Sequence, residues 1–175
     1  MAVRNIINIT ELNDEAPLRK GAREVTDFTA RLHELLDDMR ETLERANGLG
    51  LAAPQVGVLR RVVLVVDTNS DEEQVIEMVN PEIAAQSGVQ DGHEGCLSVP
   101  GVYGVVSRPQ LVKIKALDRH GSEFEVWGEG LTARAMCHEL DHLDGVLFSD
   151  KAERFLTEEE MDDLRRQALS EEAED

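Results

Sequence analysis

The stretch that decides the fold is "CHELDHLDG", residues 137–145. Read as a helix, it sets His138 and His142 one above the other, because side chains four residues apart share a face. Glu139 follows His138 directly and lies about 100° further around the axis. Two imidazoles converging at this spacing can chelate a divalent cation. A neighbouring carboxylate that does not ligate can serve as a base toward water. The helical period begins at Gly130 and runs to Asp144, with Gly145 at the C-terminal cap position. Leu131, Ala135, His138 and His142 make one stripe, so the histidines continue an otherwise apolar face and point inward. Two buried imidazoles without a cation between them are hard to satisfy.

The motif itself does not fix a third ligand. The common zinc-protease extension, H-E-x-x-H-x-x-G-x-x-H, is met at Gly145 but holds Phe148 where its last histidine belongs. Glu153, Glu158, Glu159 and Glu160 are later carboxylates, but they stand in a charge run that reads as a solvated face. Upstream, "HEGCLSVPG" at 93–101 carries Cys96 between close glycines. A thiolate with two imidazoles gives a three-ligand site with a fourth position open. His93 is a rival ligand, and a lone cysteine can equally be a small buried apolar group. Cys137 points about 100° away from His138 and reads as packing. His33 and His120 read as structural or solvent-exposed.

Working outward, Phe28, Leu32, Leu35, Leu36, Met39 and Leu43 mark one face of a helix over 26–46, ended by Asn47-Gly48. "GLGLAAPQVG" at 48–57 is too rich in Gly and Pro for a regular helix. "RRVVLVV" reads as a buried strand and "QVIEMVN" as a second, closed by Pro81. Residues 86–104 read as loop and irregular strand. "LVKIKALD" and "SEFEVWG" alternate across a short turn and read as an antiparallel hairpin. "TEEEMDDLRRQAL" reads as a last helix, with Thr157 and Glu160 at capping-box spacing. Residues 1–25 read as an extended arm with a turn near "NDEAPLRK". Strands come mostly before the second pair of helices and are not interleaved with them, which predicts an α+β fold. Residues 1–155 read as one catalytic domain and 156–175 as an acidic helical tail.

Composition bounds the partners. At 175 residues and 41 % hydrophobic the chain can bury a core, and with 3 % aromatics that core is aliphatic. A formal charge of −18 is repelled by nucleic-acid phosphates and anionic membranes, so neither is an expected partner. Two cysteines and an N-terminus without a basic-then-apolar leader predict a reducing, cytoplasmic setting.

Three segments in order, "GLGLAAPQVG" at 48–57, "EGCLSVPG" at 94–101 and "HELDHLDG" at 138–145, resemble peptide deformylase of the bacterial type, with "APLRK" and "GVLF" also fitting. The resemblance covers about residues 1–155. It implies antiparallel sheets around a central helix that carries the histidines, flanked by an N-terminal and a C-terminal helix. It implies an enzyme that removes the formyl group from N-formylmethionine of nascent chains. It selects Cys96, His138 and His142 as ligands to one metal ion, generally Fe²⁺, with Zn²⁺, Ni²⁺ or Co²⁺ able to take its place. It makes Glu139 the proton carrier and gives the formyl oxygen two donors, the Gln55 side chain and the Leu97 backbone N–H. Gly50 would meet the substrate backbone, and Leu131 and Ala135 would wall the methionine slot with Arg134 near its edge. Glu94 and Arg108 would brace the cysteine loop. Two departures stand out. Cys137 replaces a usual glutamine. The tail at 157–175 carries nine acidic residues against two arginines, so docking to ribosomal RNA through it is not expected. A silent metal-binding paralogue and a related amidase or peptidase are the alternatives.

Overall fold

The computed structural model describes residues 2–174. Strands β1 Gly50–Ala52, β2 Val62–Asp67, β3 Gln74–Ser87, β6 Leu111–Leu117 and β7 Glu123–Glu129 form an antiparallel sheet in the order β1-β2-β3-β6-β7. A smaller antiparallel sheet joins β4 Gln90–Cys96, β5 Val99–Arg108 and β8 Arg154–Phe155. Five helices, α1 Ile9–Leu12, α2 Ala30–Ala46, α3 Leu131–Leu143, α4 Phe148–Lys151 and α5 Glu158–Glu174, complete an α+β fold.

Strand β2 shows why the large sheet sits where it does. Its side chains alternate between two cores: Val63 and Val65 join a cluster with Met136, Leu140 and Leu143 of α3, while Val62 and Leu64 join Leu36, Met39 and Leu43 of α2. A strand buried on both faces must be apolar at every position, which is the uninterrupted run read in the sequence. Each such fully buried side chain stabilises the fold by roughly 1.5–3 kcal/mol. A third cluster, with Ile9, Leu18, Val99, Val106, Leu147 and Phe148, fastens the small sheet to the N-terminal arm and α4. Helix α3 is buried almost all round, with Leu131 49 % exposed at its first position. It is the central helix the resemblance implied.

Three boundaries differ from the sequence reading. Helix α2 starts at Ala30, not Thr26: Thr29 is extended at φ −101° and ψ 173°, and its carbonyl accepts from Leu32 N–H and His33 N–H. Phe28 packs on the α2 core from the extended segment before it. Strand β3 is not closed by Pro81 but runs on to Ser87. The register shifts between Val79 and Glu82, a bulge with Asn80 at φ +50°, and a proline without an N–H is tolerated there. The Asn80 side chain ties the bulge to the N-terminal arm, accepting from Val25 N–H at 2.8 Å and donating to Val25 O at 2.9 Å. Residues 86–104, read as loop and irregular strand, are mostly the β4–β5 hairpin, with a register shift between Glu94 and Cys96. The 111–129 hairpin and the Thr157–Glu160 capping box form as expected, the latter with bonds of 2.8 and 3.2 Å. None of the described side chains of α5 is buried. No helix of the described residues is long and apolar enough to cross a membrane.

Candidate metal centre

Helix α3 carries His138 and His142 on one face, with ring centroids 5.0 Å apart. Strand β4 delivers Cys96 to the same place. A register shift between Glu94 and Cys96 re-aims the end of β4, and Cys96 Sγ lies 3.4 Å from His142 Nε2. Single donor atoms from Cys96, His138 and His142 all fall within 4.8 Å of one another. A soft thiolate with two imidazoles is a donor set suited to iron, zinc, nickel or cobalt, and three ligands leave a position open. The expected ligand triad therefore converges. His93 is exposed on the cleft rim and takes no part in the cluster. His33 is remote, with Nε2 on Arg119 O at 2.8 Å and its ring against His120. Cys137 is buried on another face of α3, and burial pushes its thiol pKa up, so it packs as expected. Phe148, standing where a protease would place its third histidine, stacks on the His138 ring with centroids 6.1 Å apart.

Of the two histidines, His138 is held from behind, while His142 Nδ1 has no hydrogen-bond partner among the described residues. Glu94 accepts from His138 Nδ1 at 2.8 Å, which turns Nε2 toward the cluster. Glu94 also accepts from Arg108 Nε at 2.8 Å and Nη2 at 2.9 Å, and from Arg134 Nη1 at 2.7 Å. Burial alone would raise the Glu94 pKa, but the hydrogen bonds from Arg108 and His138 hold it at about 2. Arg108 in turn binds Asp141 at 2.7 Å. The sequence reading found the Glu94–Arg108 brace. It placed Arg134 at the pocket edge, whereas Arg134 is also a second cation on Glu94. It missed Asp141, whose position in the histidine motif was the available signal. Burial keeps the His142 pKa down at about 3, with His138 adding to the effect, so this ring offers a lone pair at neutral pH. Burial opposes protonation of His138 as well, but Cys96 and Glu94 outweigh it and move its pKa upward.

Glu139 is the odd group of the site. It is buried, its Oε2 has no hydrogen-bond partner among the described residues, and burial raises its pKa to about 7. A carboxyl group at that value exchanges its proton readily at neutral pH. Gly50 lies against it: a Cβ on Gly50 would stand 2.7 Å from Glu139 Cγ and 2.8 Å from Oε1. Only glycine leaves the carboxylate its place. The 3-10 turn at Ala53–Val56 presents Gln55, whose Nε2 lies 3.5 Å from Cys96 Sγ. An open cleft of about 410 Å³ reaches the cluster, walled by Leu49, Leu97, Pro100, Tyr103, Leu131 and Ala135.

Helix-borne histidines at i and i+4, a buried glutamate between them and a cysteine from a neighbouring strand make a donor set that could hold a metal ion, the arrangement of H-E-x-x-H hydrolases. The chain belongs to the polypeptide deformylase family, whose sequence model matches residues 6–158. It is 53 % identical over 165 residues to the peptide deformylase of Caldicellulosiruptor bescii, covering 94 % of this chain and 95 % of that protein. It is 51 % identical to that of Thermoanaerobacter pseudethanolicus, covering 94 % and 99 %. The fold superposes on the crystal structure of a peptide deformylase from Legionella pneumophila with a TM-score of 0.78 at 42 % identity, covering 96 % of this chain and 98 % of that one. The Thermotoga maritima enzyme gives 0.78 at 33 % identity, covering 87 % and 99 %. The chain is thus an enzyme of the deformylase type, and neither a silent paralogue nor a peptidase is favoured.

Proposed function

We propose that Cys96, His138 and His142 hold one divalent cation, Fe²⁺ in the cell, and that Glu139 carries the proton in deformylation of N-formylmethionyl nascent peptides. The observation that supports this most directly is the meeting of three ligand atoms within 4.8 Å beside a buried carboxylate whose pKa is raised to about 7. When bound, such a cation supplies Lewis-acid chemistry, acidifying water and polarising a carbonyl oxygen. Glu139 accepts the proton of the attacking water and delivers it to the departing amine. Gln55 Nε2 and the Leu97 N–H receive the charge that gathers on the formyl oxygen. The Gly50 backbone aligns the substrate main chain, and Leu131 and Ala135 wall the methionine side chain. The catalytic unit is 1–155, and the acidic 156–175 tail is an appendage. Any contact with ribosomal RNA runs through another surface, since phosphates repel this tail. The setting is cytoplasmic.

The test is formate release from a short N-formylmethionyl peptide by protein purified without oxygen and reloaded with Fe²⁺ or Ni²⁺. Release is expected to outpace deacetylation of the N-acetyl analogue, and Glu139→Gln should keep its metal while losing turnover. Metal-loaded, folded protein that releases no formate would refute the reading.

A further inference from the structure

Ser98 carries none of the roles given above, yet it is fully buried, at 0 % exposure, beside Gln55. The direction of the Gln55 amide is fixed by its neighbours. Ala52 N–H donates to Oε1 at 2.9 Å, and an N–H requires an oxygen opposite it, so the amide cannot be turned over. Nε2 therefore faces Ser98 Oγ at 3.1 Å and Cys96 Sγ at 3.5 Å. The amide nitrogen has two hydrogens for these two acceptors. One rests on a hydroxyl oxygen at 3.1 Å, the other makes only a long contact of 3.5 Å to a sulfur. An oxygen that gathers negative charge is a far better acceptor than that sulfur.

We propose that Ser98 is a positioning residue: its hydroxyl holds one Gln55 hydrogen so that the other stays free for the formyl oxygen. This rests on the deformylase reading above. The main chains of both residues are tied to one short segment, Ile7 N–H donating to Gln55 O at 2.7 Å and Ile9 N–H to Ser98 O at 3.0 Å. The hydroxyl and the amide thus meet at a distance set by backbone bonds. Without the hydroxyl, the first hydrogen is stranded in a buried place, and the amide rotates to serve it, turning the second away from the substrate.

The test pairs kinetics with the amide signals of Gln55 in ¹⁵N-labelled, Zn²⁺-loaded protein. In Ser98→Ala, kcat on a formylmethionyl peptide is expected to fall about tenfold or more with KM within about twofold, short of the roughly 10²- to 10³-fold loss on deleting a donor. A residue acting through Gln55 adds nothing once Gln55 is gone, so Gln55→Ala/Ser98→Ala should match Gln55→Ala alone. The two Gln55 side-chain hydrogens should exchange faster with water in Ser98→Ala. Ser98→Thr, which keeps the hydroxyl, should retain kcat and the slow exchange. An unchanged kcat in Ser98→Ala, losses that multiply in the double variant, or unchanged amide exchange would each overturn the proposal. Wild-type protein inert toward the formyl peptide would overturn the deformylase reading, while the amide signals judge the Ser98 anchor on their own.

Discussion

Replacing Glu94 with glutamine tests the support behind the proposed metal ligands. The carboxylate is 5 % exposed and meets two guanidinium groups and one imidazole. Its pKa is held at about 2 against an ordinary 4.5. At about 1.4 kcal/mol per pH unit, that difference corresponds to about 3 kcal/mol of stability from the charged form. Because the folded-state value is depressed, the contribution is complete above about pH 4.5 and is lost as pH falls through about 2. Glutamine keeps the size but leaves Arg108 and Arg134 facing an amide, and breaking a buried pair in this way costs roughly 3–5 kcal/mol. The urea midpoint at pH 7 should therefore drop by roughly 1 M or more, given a slope of about 1–3 kcal/mol per M. Competition with a chelator should show metal held about 10- to 100-fold less tightly, since His138 loses the partner that orients it. Glu123→Gln, at an exposed pair 4.0 Å from Lys115, is the control and should leave the midpoint in place. A Glu94→Gln protein that unfolds within about 0.3 M of the wild type would refute the reasoning.

Three further outcomes follow from the geometry. Gly50→Ala should cut formate release about tenfold or more at unchanged metal content, because the new Cβ would stand 2.7 Å from Glu139 Cγ. Full activity in that variant would show that the carboxylate does not need its observed place. Phe148→Ala, removing a side chain 1 % exposed that stacks on His138, should cost about 3–5 kcal/mol in urea unfolding. Glu77 is raised by burial, but bonds from Arg119 and Arg40 more than offset this and hold its pKa below the ordinary carboxylate range. Its contribution is present above the unfolded value and lost as pH falls through the folded one, so Glu77→Gln should flatten the acid side of a plot of Tm against pH.

The site was legible wherever one spacing rule governs a residue. His138, Glu139 and His142 follow from helix geometry, and β2 follows from burial on both faces. The β4–β5 hairpin was hidden by its glycines, which look like loop in sequence. They answer to neighbours instead: a Cβ on Gly92 would stand 3.0 Å from the Arg134 guanidinium, and one on Gly104 would stand 2.8 Å from Ala152. The run of β3 through Pro81 was hidden because its bulge is completed by Asn80 and Val25, 55 residues apart. Placing Cys96 beside His138 and His142 needed the family resemblance, since they lie 42 and 46 positions along the chain and no local period links them.

The segment from Ile7 to Ile9 joins the two turns that carry Gln55 and Ser98 through main-chain N–H groups, while the Ile7 and Ile9 side chains pack with Val99. Part of its contribution is therefore written in the peptide backbone, where any residue but proline would supply it. A saturation scan across these positions would record a mild preference for apolar residues at the half-buried position 7, a stronger one at the buried position 9, and intolerance of proline at both. The chemistry proposed for the cleft rests in part on backbone bonds that the sequence barely announces.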